Sequence, residues 1–138
     1  MTISKYVSDF LKTYEEIDID TNHVQDGSDK YGLFKSPSRD FVRRVDGSAQ
    51  ITEYFQFFAA QKSIAESERK EDDEWLEAIT YWLDDFQIIY EYPELDGGRR
   101  VLDIKVTGSP TPFTDDNKRI VYQMLLSITY EREVNNNA

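Results

Sequence analysis

The chain contains no cysteine and a single histidine, His23. Without a thiol there is no cysteine nucleophile, no disulfide framework and no thiolate metal site. One histidine excludes His-pair metal motifs such as HExxH. A Ser-His-Asp triad would have to be built on His23, and no GxSxG elbow accompanies it. The phosphate-cradling patterns GxGxxG and GxxxxGK[ST] are also missing. No apolar run approaches the length needed to cross a bilayer, and the start (Met1-Thr2-Ile3-Ser4-Lys5) lacks a signal peptide's apolar stretch. These features lead to the expectation of a protein that is cytosolic or assembled in the cytosol. They remove most catalytic classes and predict a non-enzymatic protein without cofactor or metal.

What is present is acid and aromatic. The 138 residues include 27 Asp and Glu against 16 Lys and Arg, a formal charge of −11. Such a charge repels polyanions and argues against a broad nucleic-acid-gripping surface. Eight Phe, nine Tyr and two Trp are too many for a disordered acidic tail. A chain of this length buries roughly two thirds of its unfolded surface as one domain.

Apolar positions Ile3, Val7, Phe10, Leu11 and Tyr14 predict an amphipathic helix over 3–14. Ile17 and Ile19 suit a short strand, followed by turn chemistry at 26–29. A second short strand is expected at 31–35, ended by Pro37. The clearest hairpin joins 40–45 to 50–60 through Asp46-Gly47-Ser48. In its second arm Phe55 and Phe57 face one way, Tyr54 and Phe58 the other, so both faces want cover. The charged stretch 61–72 reads as an exposed loop or frayed helix start. Asp72 or Asp73 would then cap a helix carrying Trp75, Leu76, Ile79, Trp82, Leu83 and Phe86.

Two strands close the sequence. In 101–107, Leu102, Ile104 and Val106 are expected inward, before a turn over 109–117. The long run 119–133 alternates with Ile120, Tyr122, Met124, Leu126, Ile128 and Tyr130 on one face, which suits a central strand. Residues 135–138 read as a disordered end. The expected fold class is α+β: a single domain over 1–134, a mostly antiparallel twisted sheet with two main helices on one face.

The polar candidates all have ordinary alternatives. His23 stands among Asp20, Asn22 and Asp26 in what reads as a polar turn. Asp18-x-Asp20 and Asp115-Asp116-Asn117 offer oxygen ligands but lack a complete calcium loop. Carboxylate pairs are uninformative in so acidic a chain. Arg43-Arg44 and Arg99-Arg100 are small basic islands that read as local salt-bridge partners.

The stretch Phe41-Val42-Arg43-Arg44-Val45-Asp46-Gly47-Ser48, followed by the aromatic strand, resembles the tail terminator proteins of long-tailed phages of Gram-positive bacteria. These are also called tail completion or minor capsid proteins. Members look like Lys-x-Tyr-x-Asp-Gly-Ser; here Val45 stands where an aromatic is usual. Trp82-Leu83, Pro93-Glu94-Leu95 before a glycine turn, Tyr122-Gln123 and Ile128-Thr129-Tyr130 extend the resemblance over roughly 30–131. The pattern is departed from at Gln61-Lys62-Ser63.

The resemblance implies a virion assembly protein of the tail and neck, formed in the host cytoplasm. It implies a homohexameric ring capping the head-proximal end of the tail tube, with the tube protein and the head–tail connector as partners. DNA would pass through the ring without specific binding, and no membrane is involved. Candidate subunit or partner contacts are Tyr54 and Phe58 on the sheet and Lys62, Arg69 and Lys70 in the charged stretch. A small acidic inhibitor, an immunity-type protein or a DNA mimic is the alternative class.

Overall fold

The structure is a computed structural model that describes residues 1–14, 19–21, 30–61, 66–89, 91–115 and 120–134. The element order is α1 (Ile3–Lys12), β1 (Ile19–Thr21), β2 (Lys30–Arg43), β3 (Ala49–Gln61), α2 (Glu66–Ile89), β4 (Arg99–Asp115) and β5 (Ile120–Arg132). The sheet order is β1-β2-β3-β5-β4. All neighbours are antiparallel except the short β1–β2 pair. This is the single-domain α+β fold that the alternation of residue types predicts.

α1 starts where the Thr2 hydroxyl accepts the Lys5 N–H at 3.1 Å, satisfying one of the free donors of the first turn. It buries Ile3, Tyr6, Val7, Phe10 and Leu11. α2 buries Leu76, Ile79 and Leu83 and rests Trp75, Trp82 and Phe86 against the same core. Both helices cover the face formed by Ile51, Phe55 and Phe57 of β3 and Tyr122, Met124, Leu126 and Ile128 of β5. Between the helices, Phe10 stacks on Trp82 at 5.1 Å and meets Phe86 edge-on at 4.9 Å. The Tyr6 hydroxyl donates to the Pro93 carbonyl at 2.6 Å, tying the segment after α2 to α1. β5, expected to be central, is an interior strand flanked by β3 and the edge strand β4, and β3 is the middle strand of the five.

Three boundaries differ from the sequence reading. The strands expected at 31–35 and 40–45 are one strand, β2, running through Pro37. The register with β3 jumps from Lys35↔Phe55 to Arg39↔Glu53, so two extra residues are taken up around Ser36-Pro37-Ser38. An even insertion keeps Leu33, Lys35, Arg39 and Phe41 on one face. β1 pairs only with Tyr31, Gly32 and Leu33, so Pro37 sits on an edge that lacks a strand partner among the described residues and needs no N–H there.

The second correction concerns β4, which spans Arg99–Asp115 and absorbs the turn expected from position 109. Four register shifts against β5 each insert one residue. They explain how a 17-residue strand pairs with a 13-residue one. The first bulge falls between Val101 and Asp103, so Val101 is buried with Ile104 and strict alternation through Leu102 fails. At the second, Gly108 passes so close to Leu125 that a Cβ would lie 2.9 Å from its Cδ1.

The third concerns the charged stretch. Gln61 closes β3 and residues 66–72 belong to α2, so the helix start rather than the loop is what forms over them, and Asp72 and Asp73, expected to cap the helix, lie inside it. The sequence puts Glu66 and Glu68 in the first turn, where negative charge suits the positive end of the helix dipole, which favours an earlier start than the apolar spacing alone predicts. The disordered end expected at 135–138 lies outside the described residues.

Candidate functional site

Strand parity sends Thr52, Tyr54, Gln56 and Phe58 of β3 to the face opposite the helices. Tyr54 donates its hydroxyl to Asp40 Oδ2 at 2.5 Å, and that hydrogen bond pushes the phenol's pKa up. The two residues stand in a shallow groove of about 450 Å³ with Ser36, Ser38, Gln56, Thr107 and Leu125. Phe58 is only 9% exposed, with Phe34 edge-on to it at 5.3 Å. The two-sided aromatic strip is therefore real in parity, but only Tyr54 of the pair is accessible from solvent. On this face Thr52 and Thr129 share a hydrogen bond of 2.9 Å, and Ser127 Oγ is buried without a partner among the described residues.

Within the core face, between Ile51 and Phe55 of β3, lies a buried carboxylate. Glu53 Oε1 is 2.6 Å from Lys35 Nζ, and its Oε2 accepts from the Tyr130 hydroxyl at 2.7 Å. Burial alone would raise its pKa, yet the hydrogen bonds from Lys35 and Tyr130, with Arg39 nearby, hold it below the ordinary 4.5. Desolvation, together with its hydrogen bond to Glu53, pushes Tyr130 up to about 12. Every group here is satisfied by a neighbour in the same chain. The cluster fastens β2, β3 and β5 together and holds no poised acid or base.

Among the described residues, a group of exposed apolar side chains lies elsewhere, at the β2–β3 hairpin. Phe41 and Val42 are about half exposed (51% and 53%) and Val45 fully so. The turn that presents them is tightly built. Arg44 N–H donates to the Ser48 carbonyl at 2.9 Å, Gly47 N–H to the Arg44 carbonyl at 3.1 Å. Asp46 Oδ1 accepts from both the amide and the hydroxyl of Ser48, at 2.9 and 2.6 Å. Gly47 takes φ 88°, the left-handed conformation that glycine adopts at least cost. Arg39 lies over the Phe41 ring at 5.8 Å.

The basic islands behave unequally. Arg44 and Arg100 both clasp Glu131, at 2.5 and 2.6 Å, and the Arg100 contact is the main cause of that carboxylate's lowered pKa. Arg99 pairs with Asp96 at 2.5 Å. Arg43 is exposed and makes no ion pair with any described residue, contrary to the salt-bridge reading of its island.

A second concavity, about 460 Å³, runs between α2 and β4 and is lined by Asp73, Leu76, Glu77, Thr80, Tyr81, Ser109 and Pro110. Tyr81 is 56% exposed and hydrogen-bonds to Glu77, which raises the phenol's pKa. Among the described residues no group of three or more His, Cys, Asp or Glu could hold a metal ion. No described helix is long and apolar enough to cross a membrane.

Of the contact residues expected from sequence, Tyr54 and Phe58 share one sheet face. Lys62 lies outside the described residues; Arg69 and Lys70 fall within the first turns of α2, and their side chains lie outside the description. His23, Asp18, Asp116 and Asn117 also fall outside it, as do the side chains of Asp20 and Asp115. The exposed trio at the hairpin was missed, although three apolar residues beside an Asp-Gly turn were the available signal. The chain matches no protein-family model, and no curated protein matches it.

Proposed function

We propose that this chain is a non-enzymatic virion assembly protein. In this reading, copies close into a ring on the head-proximal end of a phage tail tube, stop the tube growing and offer a surface to the head connector. The observation that carries the reading is the rigid hairpin tip, which holds Phe41, Val42 and Val45 in solvent within the segment whose sequence resembles tail terminators. Exposed apolar residues grouped on a built turn are a feature of contact surfaces, since a monomer gains nothing by keeping them wet.

Charge fits the same role. A ring of subunits each carrying −11 repels DNA from its lumen wall, so the genome slides past without being held. The same repulsion acts between subunits, so assembly requires local contacts of opposite sign or apolar character. An acidic inhibitor or DNA mimic would bind through its carboxylates and leave the apolar tip without a purpose.

The test is to add the purified chain to polymerising tail-tube protein and follow tube length by light scattering. Substoichiometric chain is expected to arrest growth, and variants at the tip to lose that effect. Growth unaffected at equimolar chain would overturn the reading.

A further inference from the structure

We infer that the β2–β3 hairpin tip of one copy seats in the groove between α2 and β4 of the next copy, with Arg43 facing Asp73 and Glu77. This rests on the ring reading and names the surfaces through which the ring would close.

The tip and the groove are complementary. The tip offers Phe41, Val42 and Val45 to solvent together with Arg43, which has no ion pair among the described residues. The groove combines apolar wall from Leu76, Tyr81 and Pro110 with the carboxylates of Asp73 and Glu77, neither of which forms an ion pair among the described residues. The charges are opposite in sign: a cation stands beside the apolar tip, and two carboxylates, Asp73 and the Glu77 that accepts from Tyr81, stand beside the groove's apolar wall. The turn's hydrogen bonds hold the tip in shape before any contact, so little ordering is lost on docking.

Within one copy the two surfaces cannot meet. The tip begins beside Ala49, opposite Arg132 on β5, whereas Thr111, next to the groove's Ser109 and Pro110, pairs with Gln123. Nine residues of β5 separate those positions, about 30 Å of strand. Two copies related by a twofold axis through the tips would set Arg43 against Arg43, which like charge disfavours. A tip-to-groove contact joins different surfaces on each copy. Repeated contacts of that kind close into a ring when the rotation allows.

The experiment is a charge exchange on the full chain, read by sedimentation velocity at low salt. Arg43→Glu and Glu77→Lys are each expected to keep the wild-type melting temperature and to weaken self-association at least about tenfold. Mixed one to one, they are expected to assemble again, because each interface in an alternating ring then pairs opposite charges. Val45→Asp tests the apolar part of the tip and is expected to weaken assembly without rescue by either variant. If the wild type assembles and the single charge variants assemble equally well, this contact is wrong while the ring stands. If both variants fail and their mixture also fails, the tip or the groove serves another partner and the copy-to-copy contact is overturned. A wild-type chain that stays monomeric at every concentration, alone and with tube protein, overturns the ring reading and this contact together.

Discussion

The two faces of the sheet were built by the same strands and have opposite fates. On the helix side, Ile51, Phe55, Phe57, Met124, Leu126 and Ile128 are all but sealed, and the helices add Leu76, Ile79 and Leu83. On the other side, Tyr54 and Gln56 stay partly open, and polar pairs join neighbouring strands, as in Thr52–Thr129 and Tyr54–Asp40. The hairpin tip is more open still. Stability therefore resides in the covered face, and the open face and tip are free to serve contacts. If so, substitutions should divide cleanly into those that unfold the chain and those that change only its associations.

The largest effect should come from the sealed side. Leu83→Ala removes a fully buried side chain and is expected to cost about 2–5 kcal/mol, read from urea denaturation. Trp82→Ala should fall toward the low end of the range for large aromatics, about 3–5 kcal/mol, because Trp82 is only partly buried between Phe10 and Phe86. A Leu83→Ala chain with unchanged stability would dissolve the comparison.

Next come the polar fastenings of the core face. Tyr130→Phe or Glu53→Gln should each cost about 1–3 kcal/mol, since each leaves a buried partner incompletely bonded. Their signatures in pH differ in sign. Glu53 titrates below its ordinary 4.5 in the folded chain, so it binds fewer protons folded than unfolded; its contribution is present above that value and lost as pH falls below it. Tyr130 moves from 10.0 to about 12, so its contribution is whole below pH 10 and declines as pH rises toward 12. Melting curves across pH should show Glu53→Gln flattening the acid limb and Tyr130→Phe part of the alkaline one. Only part is expected, because Tyr6, also pushed up to about 12 by burial, titrates in the same window.

A smaller effect is expected at the turn. Gly47→Ala forces a side chain into the left-handed region and should cost about 1–2 kcal/mol, and it should also blur the tip's shape. The smallest belongs to Val45→Ser, which should change stability by no more than about 0.5 kcal/mol because Val45 is fully exposed. A marked loss of stability there would mean that the tip is part of the fold rather than an offered surface.

Where the sequence was legible, one physical rule dominated. Helical spacing marked both helices, the Asp46-Gly47 turn marked the hairpin, and ten alternating residues marked β5. Legibility failed where two rules competed. Pro37 punctuates a strand in general, but an outer edge removes the need for its N–H, and β2 runs through. β4 keeps its alternation through Ile104, Lys105, Val106 and Thr107 but breaks it at the first bulge, where Val101 rather than Leu102 is buried, and a bulge leaves no signal in residue type beyond Gly108, whose small size lets Leu125 pass. The start of α2 was hidden because its first two turns carry no apolar spacing in the sequence. Of the candidate contacts, Tyr54 was readable from parity, whereas the shielding of Phe58 by Phe34 depends on a register between strands that the sequence does not spell out. Arg43 and Arg44 look alike in sequence; only the fold brings Glu131 to Arg44 and gives Arg43 no ion pair among the described residues.

The most direct test images tail tubes grown with and without the chain by electron microscopy. The account predicts tubes of limited length, each closed at one end by a ring of this chain, with rings lost in the Arg43→Glu variant and regained when Glu77→Lys is added. Tubes of unlimited length with bare ends, in the presence of folded chain, would contradict it.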